Sequence, residues 1–386
     1  MQNMTRRDAV SRMGLAAVGF SALPVSGWPA SWFVQDAVVP FTDVPDDFTG
    51  LRAGQEQFPG QLRSAQDLRR LESWVTPVED YFVVAHYPIP EVNASTYRLS
   101  VEGLVRRPIE LTLDQLRARP RVTRTTIFEC GGNSARLFHG MVGNSEWTGT
   151  PLLPLLEEAG WTDTAREVHF WAADSGMEDL GGQQYEQNFA RSMSLEAIRE
   201  RNPIIAYEQN GEPLTVVHGF PARLIVPGWY GVAQVKWLNR IELSADRLMT
   251  RFMARDYVTL MGREVDGRTE WIQTSVTRLR PKSAIARVTR TGNRFRIFGV
   301  AWSDGTPLDR VDVRVDGGAW QPATLDKRGD DYAWTWFTLE VPALPAGEHK
   351  LVSRATDAAG RTQPDELSMK RTRWENNELF ERTIRV

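Results

Sequence analysis

The two halves of the chain differ in how hydrophobic and polar positions alternate. Residues 294–302, 311–315 and 332–341 alternate with a period of two, and Gly-containing turn signals separate them. Short strands divided by such turns predict an antiparallel β-sandwich of immunoglobulin-like type. We place this predicted domain at residues 270–386.

The preceding region, residues 76–265, mixes two periodicities. Apolar runs predict strands, and segments with helical spacing predict three short helices. The predicted strands are 81–84, 96–105, 122–128, 168–172, 204–207 and 223–226, and the predicted helices are 111–116, 152–159 and 195–201. No βαβ rhythm and no Gly-rich dinucleotide fingerprint occurs, which favours an α+β fold. Pro and Gly break every candidate helix in residues 34–75, so that segment is predicted to be irregular.

Composition narrows the functional classes. The chain has 386 residues, of which 41% are hydrophobic, and a formal charge of −3. A chain of this length can bury a full core, and its slightly acidic balance argues against a nucleic-acid surface. No segment beyond the N-terminal region is long and apolar enough to predict a membrane span.

The N-terminus predicts an export signal. Arg6 and Arg7 precede an apolar stretch at residues 14–25, which is too short to span a bilayer. Paired arginines before such a stretch are typical of the twin-arginine route. We therefore predict a signal over residues 1–33 and a periplasmic protein.

Cys130 is the one cysteine of the chain, and Gly131 and Gly132 follow it. A lone thiol in an exported protein is an inert buried residue, an intermolecular link or a ligand. A nucleophilic thiol is a further alternative, with His86, His139 or His218 as its base. No Cys-x-x-Cys-His motif occurs, so no covalently attached c-type haem is predicted.

A second segment, residues 217–238, combines a His, an Arg and a Lys with several Gly and Pro residues. His218, Arg223 and Lys236 are spread along a predicted loop–strand–loop. Such a segment can present cations to a phosphate, although the pattern alone is weak evidence.

Taken together, these segments resemble the sulfite oxidase family of molybdenum enzymes. Glu129-Cys130-Gly131-Gly132-Asn133 is similar to the family's Cys-Ala-Gly-Asn loop, with Gly131 in place of Ala. Further similar motifs follow in order over residues 75–386: Trp147-Thr148-Gly149-Thr150-Pro151-Leu152, Asn210-Gly211-Glu212-Pro213-Leu214, His218-Gly219-Phe220-Pro221-Ala222-Arg223, Val226-Pro227-Gly228, Val235-Lys236-Trp237-Leu238, and Val315-Asp316-Gly317-Gly318-Ala319-Trp320.

The resemblance implies a molybdopterin-binding domain followed by a dimerisation domain, and it implies site residues. Cys130 would be the thiolate ligand of molybdenum, and Tyr257 the active-site tyrosine beside the substrate. The remaining residues implied to bind the cofactor are Phe82, Val83, Val84, Ala85, His86, Asp174, His218, Arg223, Gln234, Val235 and Lys236.

The chain also departs from the family. Val84 and Asn377 stand where sulfite-oxidising members carry anion-binding arginines, and Ser134-Ala135 replace common basic residues. Arg136 or Arg191 is a possible compensating cation. A doubly charged sulfite needs charge-assisted contacts, so these departures predict weak sulfite binding.

Together with the predicted export signal, the resemblance implies a periplasmic molybdenum-cofactor oxidoreductase that transfers an oxygen atom on a small sulfur-centred or oxyanion substrate. Electrons would pass to a separate carrier such as a c-type cytochrome, and the protein would be a homodimer. Related alternatives are a sulfane dehydrogenase-like and a sulfoxide-reducing enzyme. Alternatives from other classes are a zinc site built from Cys130 and histidines, and a non-catalytic exported binding module.

Overall fold

The computed structural model of the chain describes residues 37–44, 63–371 and 373–386. The predicted signal, residues 1–33, lies outside the described residues. No helix within the described part of the chain is long and apolar enough to cross a membrane.

Most of the described chain is β-structure. Up to residue 275 the strands are β1 (Ala37–Val39), β2 (Arg63–Ser64), β3 (Val83–Val84), β4 (Leu99–Gly103), β5 (Ile109–Leu111), β6 (Val122–Glu129), β7 (Val142–Pro151), β8 (Glu167–Leu180), β9 (Gln183–Ser194), β10 (Ile204–Gln209), β11 (Glu212–Pro213), β12 (Arg223–Ile225), β13 (Leu238–Ser244), β14 (Val258–Val265) and β15 (Arg268–Ser275). The later strands are β16 (Lys282–Thr291), β17 (Arg294–Trp302), β18 (Leu308–Val315), β19 (Gln321–Pro322), β20 (Thr324–Asp326), β21 (Thr335–Pro342), β22 (Glu348–Asp357), β23 (Lys370–Arg371) and β24 (Glu381–Arg385).

Helices are few and short, so the described chain contains less helix than the α+β prediction implies. They are α1 (Leu113–Arg117), α2 (Leu152–Ala159), α3 (Leu195–Arg201) and α4 (Arg251–Ala254). Helices α2 and α3 match their predicted bounds. Helix α1 begins two residues later than predicted because Thr112 and Gln115 form a capping box at its start.

Two five-stranded sheets build the first half. One has the order β5-β4-β13-β8-β9, and the other the order β11-β10-β7-β6 with β12 paired to β10. Strands β8 and β9 run well beyond the predicted strand at 168–172 and form a long hairpin. A register shift between Trp171 and Ser175 interrupts their pairing, and Asp174 lies in this bulge. A bulge redirects a side chain locally, and here it places Asp174 in the functional pocket.

Two further sheets build the C-terminal half, with the orders β1-β16-β17-β21-β20 and β19-β18-β22-β24. Val288, Phe295 and Phe337 of the first sheet share one buried cluster with Val311 and Ile384 of the second. The alternating segments are thus strands whose inward faces form a common core. The finer immunoglobulin-like assignment remains a prediction.

Residues 34–36 and 45–62 lie outside the described residues, and in the rest of residues 34–75 the structure differs from the irregular prediction at two places. Strand β1 pairs with β16 at the edge of a C-terminal sheet, and Phe41 and Val44 enter that sheet's core. Arg63 and Ser64 form strand β2, which pairs with β3. The N-terminal segment therefore contributes to both halves.

Candidate functional site

One pocket collects most of the residues singled out by sequence. It is lined by Tyr81, Phe82, Val83, Val84, Ala85, His86, Phe128, Cys130, Asp174, Phe189, His218, Arg223, Gly231, Val232, Gln234, Lys236, Trp237 and Tyr257. Two predicted site residues do not line it. Val235 is fully buried beside it, where its carbonyl accepts the Leu224 N–H. Arg136 is exposed on a 3-10 turn over Ala135–Leu137, so the structure does not bring it to the pocket.

Cys130 directly follows the last residue of β6. Its N–H donates to the Met141 carbonyl at 2.9 Å, and its carbonyl accepts the Asn133 N–H at 2.9 Å. Burial raises the pKa of the Cys130 thiol to about 11. Because a dry environment disfavours the thiolate, a ligand that carries positive charge is needed to hold this sulfur in its charged form.

Gly131 and Gly132 leave space that aromatic rings occupy. A Cβ on Gly131 would lie 3.3 Å from the Tyr257 ring, and one on Gly132 would lie 3.1 Å from the Trp374 ring. Both glycines thus permit close packing of the cysteine loop against aromatic side chains.

Glu129, the neighbour of Cys130, belongs to a buried ion pair that the sequence did not reveal. Its carboxylate accepts Lys282 Nζ at 2.5 Å and Trp302 Nε1 at 2.9 Å, and Asn133 Nδ2 at 3.2 Å. The Glu129 and Lys282 side chains are each 1% exposed. This pair fixes the base of the cysteine loop to strands β16 and β17.

A C-terminal segment also holds the cysteine loop. The Glu375 N–H donates to the Gly131 carbonyl at 2.8 Å, and Asn376 Nδ2 donates to the Asn133 carbonyl at 3.2 Å. The Trp374 ring stacks on the Tyr257 ring with centroids 4.2 Å apart. The C-terminal half therefore forms part of the site's support.

Arg223 is a buried cation and Lys236 a half-buried one, and both donate hydrogen bonds to backbone carbonyls. Arg223 donates to the His218 and Gln234 carbonyls at 2.8 and 3.1 Å, and Lys236 Nζ donates to the Val217 carbonyl at 2.9 Å. Within the described residues no carboxylate lies within 4 Å of either cation. Burial lowers the pKa of Arg223 to about 10 and that of Lys236 to about 7.

Cations that are partly or fully removed from water and have no close carboxylate partner are costly, so this wall of the pocket suits an anion. His218 is kept neutral beside them, because burial and the charge of Arg223 lower its pKa to about 3. Asp174 completes the wall: burial raises its pKa to about 7, and its Oδ1 has no hydrogen-bond partner among the described residues.

Tyr257 and His86 also line the pocket and are joined by a 2.6 Å hydrogen bond between Tyr257 Oη and His86 Nε2. Burial raises the pKa of Tyr257 and lowers that of His86 to about 3, so both are neutral. Tyr257 has a φ of 56°. For a residue with a Cβ this conformation is strained and marks functional positions.

A second buried carboxylate, Glu178, secures the turn that carries Tyr257. It accepts Tyr87 Oη at 2.8 Å, Arg251 Nη1 at 2.5 Å and Arg255 Nη2 at 2.8 Å. Burial raises its pKa, but the Arg251 and Tyr87 hydrogen bonds outweigh burial, so the net pKa is lowered. Sequence reasoning missed this network, since Glu178 lies about 80 positions from Tyr257 along the chain.

The residues at which this chain differs from the sulfite oxidase family pattern do not all lie in the pocket. Val84 lines the pocket, whereas Asn377 is buried away from it and donates to the Pro281 carbonyl at 3.3 Å. Arg191 is also buried, with its guanidinium bound to the Phe252 and Val276 carbonyls. None of the three presents a free cation to the pocket.

The residues present fit an anionic cofactor with a soft metal. A thiol, two unneutralised cations and the unpartnered Asp174 Oδ1 and Arg223 Nε converge on one pocket. The described residues contain no group of three or more His, Cys, Asp or Glu arranged to hold a metal. The donor set thus suits a centre that brings most of its own ligands.

Comparison with known proteins gives two family matches. The oxidoreductase molybdopterin binding domain matches residues 86–252, and the Mo-co oxidoreductase dimerisation domain matches residues 270–386.

Curated relatives and a solved structure are similar along most of the chain. Sulfite oxidase of Gallus gallus is 32% identical over 86% of this chain and 77% of its own length. Mitochondrial sulfite oxidase of Homo sapiens is 32% identical over 85% of this chain, which spans 64% of the human protein. The crystal structure of the sulfane dehydrogenase SoxCD from Paracoccus pantotrophus is 26% identical and covers 99% of both chains with a TM-score of 0.75.

Proposed function

This chain belongs to the sulfite oxidase family of molybdopterin-dependent oxidoreductases, and we propose that it transfers an oxygen atom to a small sulfur-centred substrate at the Cys130 pocket. Water supplies the oxygen atom, two protons are released, and two electrons leave to an external acceptor. The bound molybdenum centre supplies the oxygen-transfer and redox chemistry.

The observation that carries this proposal is that one pocket holds a thiol and two cations, Arg223 and Lys236, neither of which has a carboxylate within 4 Å among the described residues. Cys130 would hold the metal through its sulfur. Arg223 and Lys236 would bind the phosphate of the cofactor, and neutral His218 and the bulge residue Asp174 would hydrogen-bond its pterin. These residues orient the cofactor and contribute no redox chemistry of their own.

Tyr257 and His86 would act on the substrate side. Their hydrogen bond fixes the phenol, and burial keeps both groups neutral. A neutral, oriented phenol can donate to a substrate oxygen as negative charge moves during transfer. The stack on Trp374 and the Glu178 network keep the phenol in place.

A sulfane-type substrate is favoured over sulfite. Val84 is an apolar pocket residue, and Asn377 is turned to the Pro281 carbonyl. The similar solved structure is described as a sulfane dehydrogenase. Both observations support a substrate whose reacting sulfur is not part of a doubly charged sulfite.

The cellular setting of the reaction is part of the same proposal. The paired arginines of the N-terminus support export to the periplasm by the twin-arginine route. An external c-type cytochrome is proposed as electron acceptor, since no haem-attachment motif occurs in the sequence. A homodimer through an immunoglobulin-like C-terminal domain is supported by the match to the dimerisation domain.

Metal and substrate measurements test the proposal. Protein purified from a cofactor-competent host should contain molybdenum near one atom per chain and release a fluorescent pterin on denaturation. With an artificial acceptor, it should oxidise sulfane-type compounds more efficiently than sulfite. Zinc, or neither molybdenum nor pterin, in such protein contradicts the proposal.

Cys130→Ser is expected to abolish turnover while the protein still folds and keeps part of its pterin. The hydroxyl is a poor replacement for a thiolate ligand, whereas Arg223 and Lys236 remain to hold the phosphate. Turnover, molybdenum content and pterin fluorescence are measured together. Ser134→Ala, in the same loop, serves as the control and should retain activity; normal turnover by Cys130→Ser would remove Cys130 from its assigned role.

A further inference from the structure

The short strand pair β2–β3 places an arginine opposite a pocket residue. Arg63 pairs with Val84 and Ser64 with Val83 in antiparallel register. The Val83 N–H donates to Ser64 Oγ at 2.9 Å, which fixes the pairing. Directly opposite residues in an antiparallel pair project from the same face of the sheet. The Arg63 side chain therefore leaves the strand on the face of Val84.

Val84 lines the pocket together with Cys130 and Tyr257, and Arg63 is the residue paired with Val84, so it lies next to the pocket lining. Arg63 is exposed, and no carboxylate of the described residues lies within 4 Å of its guanidinium. Burial dominates the pKa shifts of Cys130, His86 and Tyr257, and the positive charge of Arg63 lowers the pKa of all three. One guanidinium thus acts on the thiol, the imidazole and the phenol together.

The other candidate cations are committed elsewhere or lie away from the pocket. The Arg191 guanidinium is bound to the Phe252 and Val276 carbonyls. Arg223 and Lys236 belong to the wall assigned to the cofactor. Arg136 is exposed on the 3-10 turn over Ala135–Leu137, and its charge is not among those that chiefly shift the pKa of Cys130, His86 or Tyr257.

We propose that Arg63, supplied by the N-terminal segment, binds the anionic group of the substrate at the pocket mouth. This inference rests on the proposed function and specifies its substrate class. One exposed cation paired with apolar Val84 suits a substrate with a single negative group and an uncharged sulfur-containing remainder. A small dianion would need more cations than this mouth provides.

The single thiol allows a test that does not require the cofactor. In cofactor-free protein, Cys130 is alkylated in parallel with anionic iodoacetate and neutral iodoacetamide. The ratio of the two rates cancels thiol reactivity and reports the local charge. Arg63→Gln should lower the iodoacetate-to-iodoacetamide ratio by about 3- to 10-fold, because an attractive charge near the thiol is lost. Arg63→Lys should keep most of the ratio.

Arg70→Gln is the matched control. Arg70 lies on the same segment with an 88% exposed side chain, and its ion pair with Asp67 is long, at 3.9 Å. This variant should leave the ratio unchanged. Equal ratios for Arg63→Gln, Arg70→Gln and the parent would overturn the assignment of Arg63.

The loaded enzyme gives the second measurement. Arg63→Gln should lower kcat/KM for an anionic sulfur substrate by about 10-fold, the value of one charge-assisted hydrogen bond, mainly through KM. Adding Val84→Arg to Arg63→Gln should restore much of this loss, since the cation returns from the facing strand. An unchanged KM in Arg63→Gln contradicts the proposal. If the parent oxidises no sulfur compound, the proposed function fails, and the alkylation ratio still decides whether Arg63 governs anion entry.

Discussion

The two walls that meet at Cys130 differ in whether their charged side chains have a partner of opposite charge. On the cofactor wall, Arg223 is buried and Lys236 half-buried, and neither has a carboxylate within 4 Å in the described part of the chain. On the cysteine-loop wall, Lys282 is paired with Glu129 at 2.5 Å, and both side chains are 1% exposed. We call the first the open wall, because its cations have no carboxylate partner, and the second the neutralised wall, because its lysine is paired with a carboxylate.

This difference separates binding from support. A buried ion pair with all its hydrogen bonds made is satisfied by the protein itself and holds elements together. A buried cation that has only carbonyl partners remains costly until an anion arrives. The open wall is therefore the ligand site, and the neutralised wall is the scaffold that fixes the position of Cys130.

Breaking the neutralised pair should have the largest effect on stability. Lys282→Met leaves the Glu129 carboxylate buried without its cation, which costs about 3–5 kcal/mol of unfolding free energy. Urea unfolding of the cofactor-free protein measures this loss. The released loop should also make Cys130 react faster with iodoacetamide.

The double variant Glu129→Gln with Lys282→Met is the control for this prediction. It removes both charges, so it should recover a substantial part of the stability lost in Lys282→Met. A Lys282→Met protein as stable as its parent would show that the cysteine-loop wall does not depend on this pair.

In contrast to Lys282→Met, we expect Lys236→Met to weaken cofactor binding rather than to destabilise the fold. Burial and Arg223 lower the folded-state pKa of Lys236 to about 7, whereas the unfolded value is about 10.4. Between these values the unfolded chain binds a proton that the folded chain lacks, so this group makes stability rise with pH from about 7 to about 10. Removing it should not destabilise the cofactor-free protein at pH 7.5, and it should flatten this rise and weaken pterin retention.

Lys327→Met provides a matched comparison, since Lys327 Nζ also donates to a backbone carbonyl, at 2.8 Å, but outside the pocket. Pterin fluorescence of purified protein and thermal unfolding between pH 7 and 9.5 are the measurements. If Lys236→Met lost as much stability as Lys282→Met, the contrast between the walls would be wrong.

The open wall could be predicted from sequence, whereas the neutralised wall could not. His218, Arg223 and Lys236 occur within one short segment with a recognisable Gly and Pro pattern, and the structure brings them to one pocket. Glu129 and Lys282 are 153 positions apart, and no local pattern links a carboxylate on β6 to an amine on β16. Such long-range pairs follow from how the sheets pack, which local periodicity does not encode.

Secondary structure could likewise be predicted only where its signal is local in the sequence. Helices α2 and α3 have local signals: apolar spacing in both, and a Ser194 cap for α3, whose hydroxyl accepts the Ala197 N–H. Strands β1 and β2 have only three and two residues. Because their pairing with β16 and β3 depends on distant partners, a Pro- and Gly-rich segment gave no sign of them, and Arg63 was missed with them.

The smallest expected effect concerns Asn376, which links the cysteine loop to the C-terminal segment. Its Nδ2 donates to the Asn133 carbonyl at 3.2 Å and the Arg373 carbonyl at 3.0 Å, while its backbone carbonyl accepts Lys282 Nζ. Asn376→Ala removes the two side-chain bonds, so unfolding free energy should fall by about 1–2 kcal/mol.

The same change should raise the rate at which iodoacetamide alkylates Cys130, because the carbonyl of Asn133 loses a partner and the loop loosens. Asn144→Ala removes a comparable side-chain bond, to the Trp74 carbonyl at 3.0 Å. It should lower stability without raising the alkylation rate. If both variants left that rate unchanged, the Asn376 amide would not hold the loop, which would then depend on the Glu129–Lys282 pair and on the Glu375 N–H bonded to the Gly131 carbonyl.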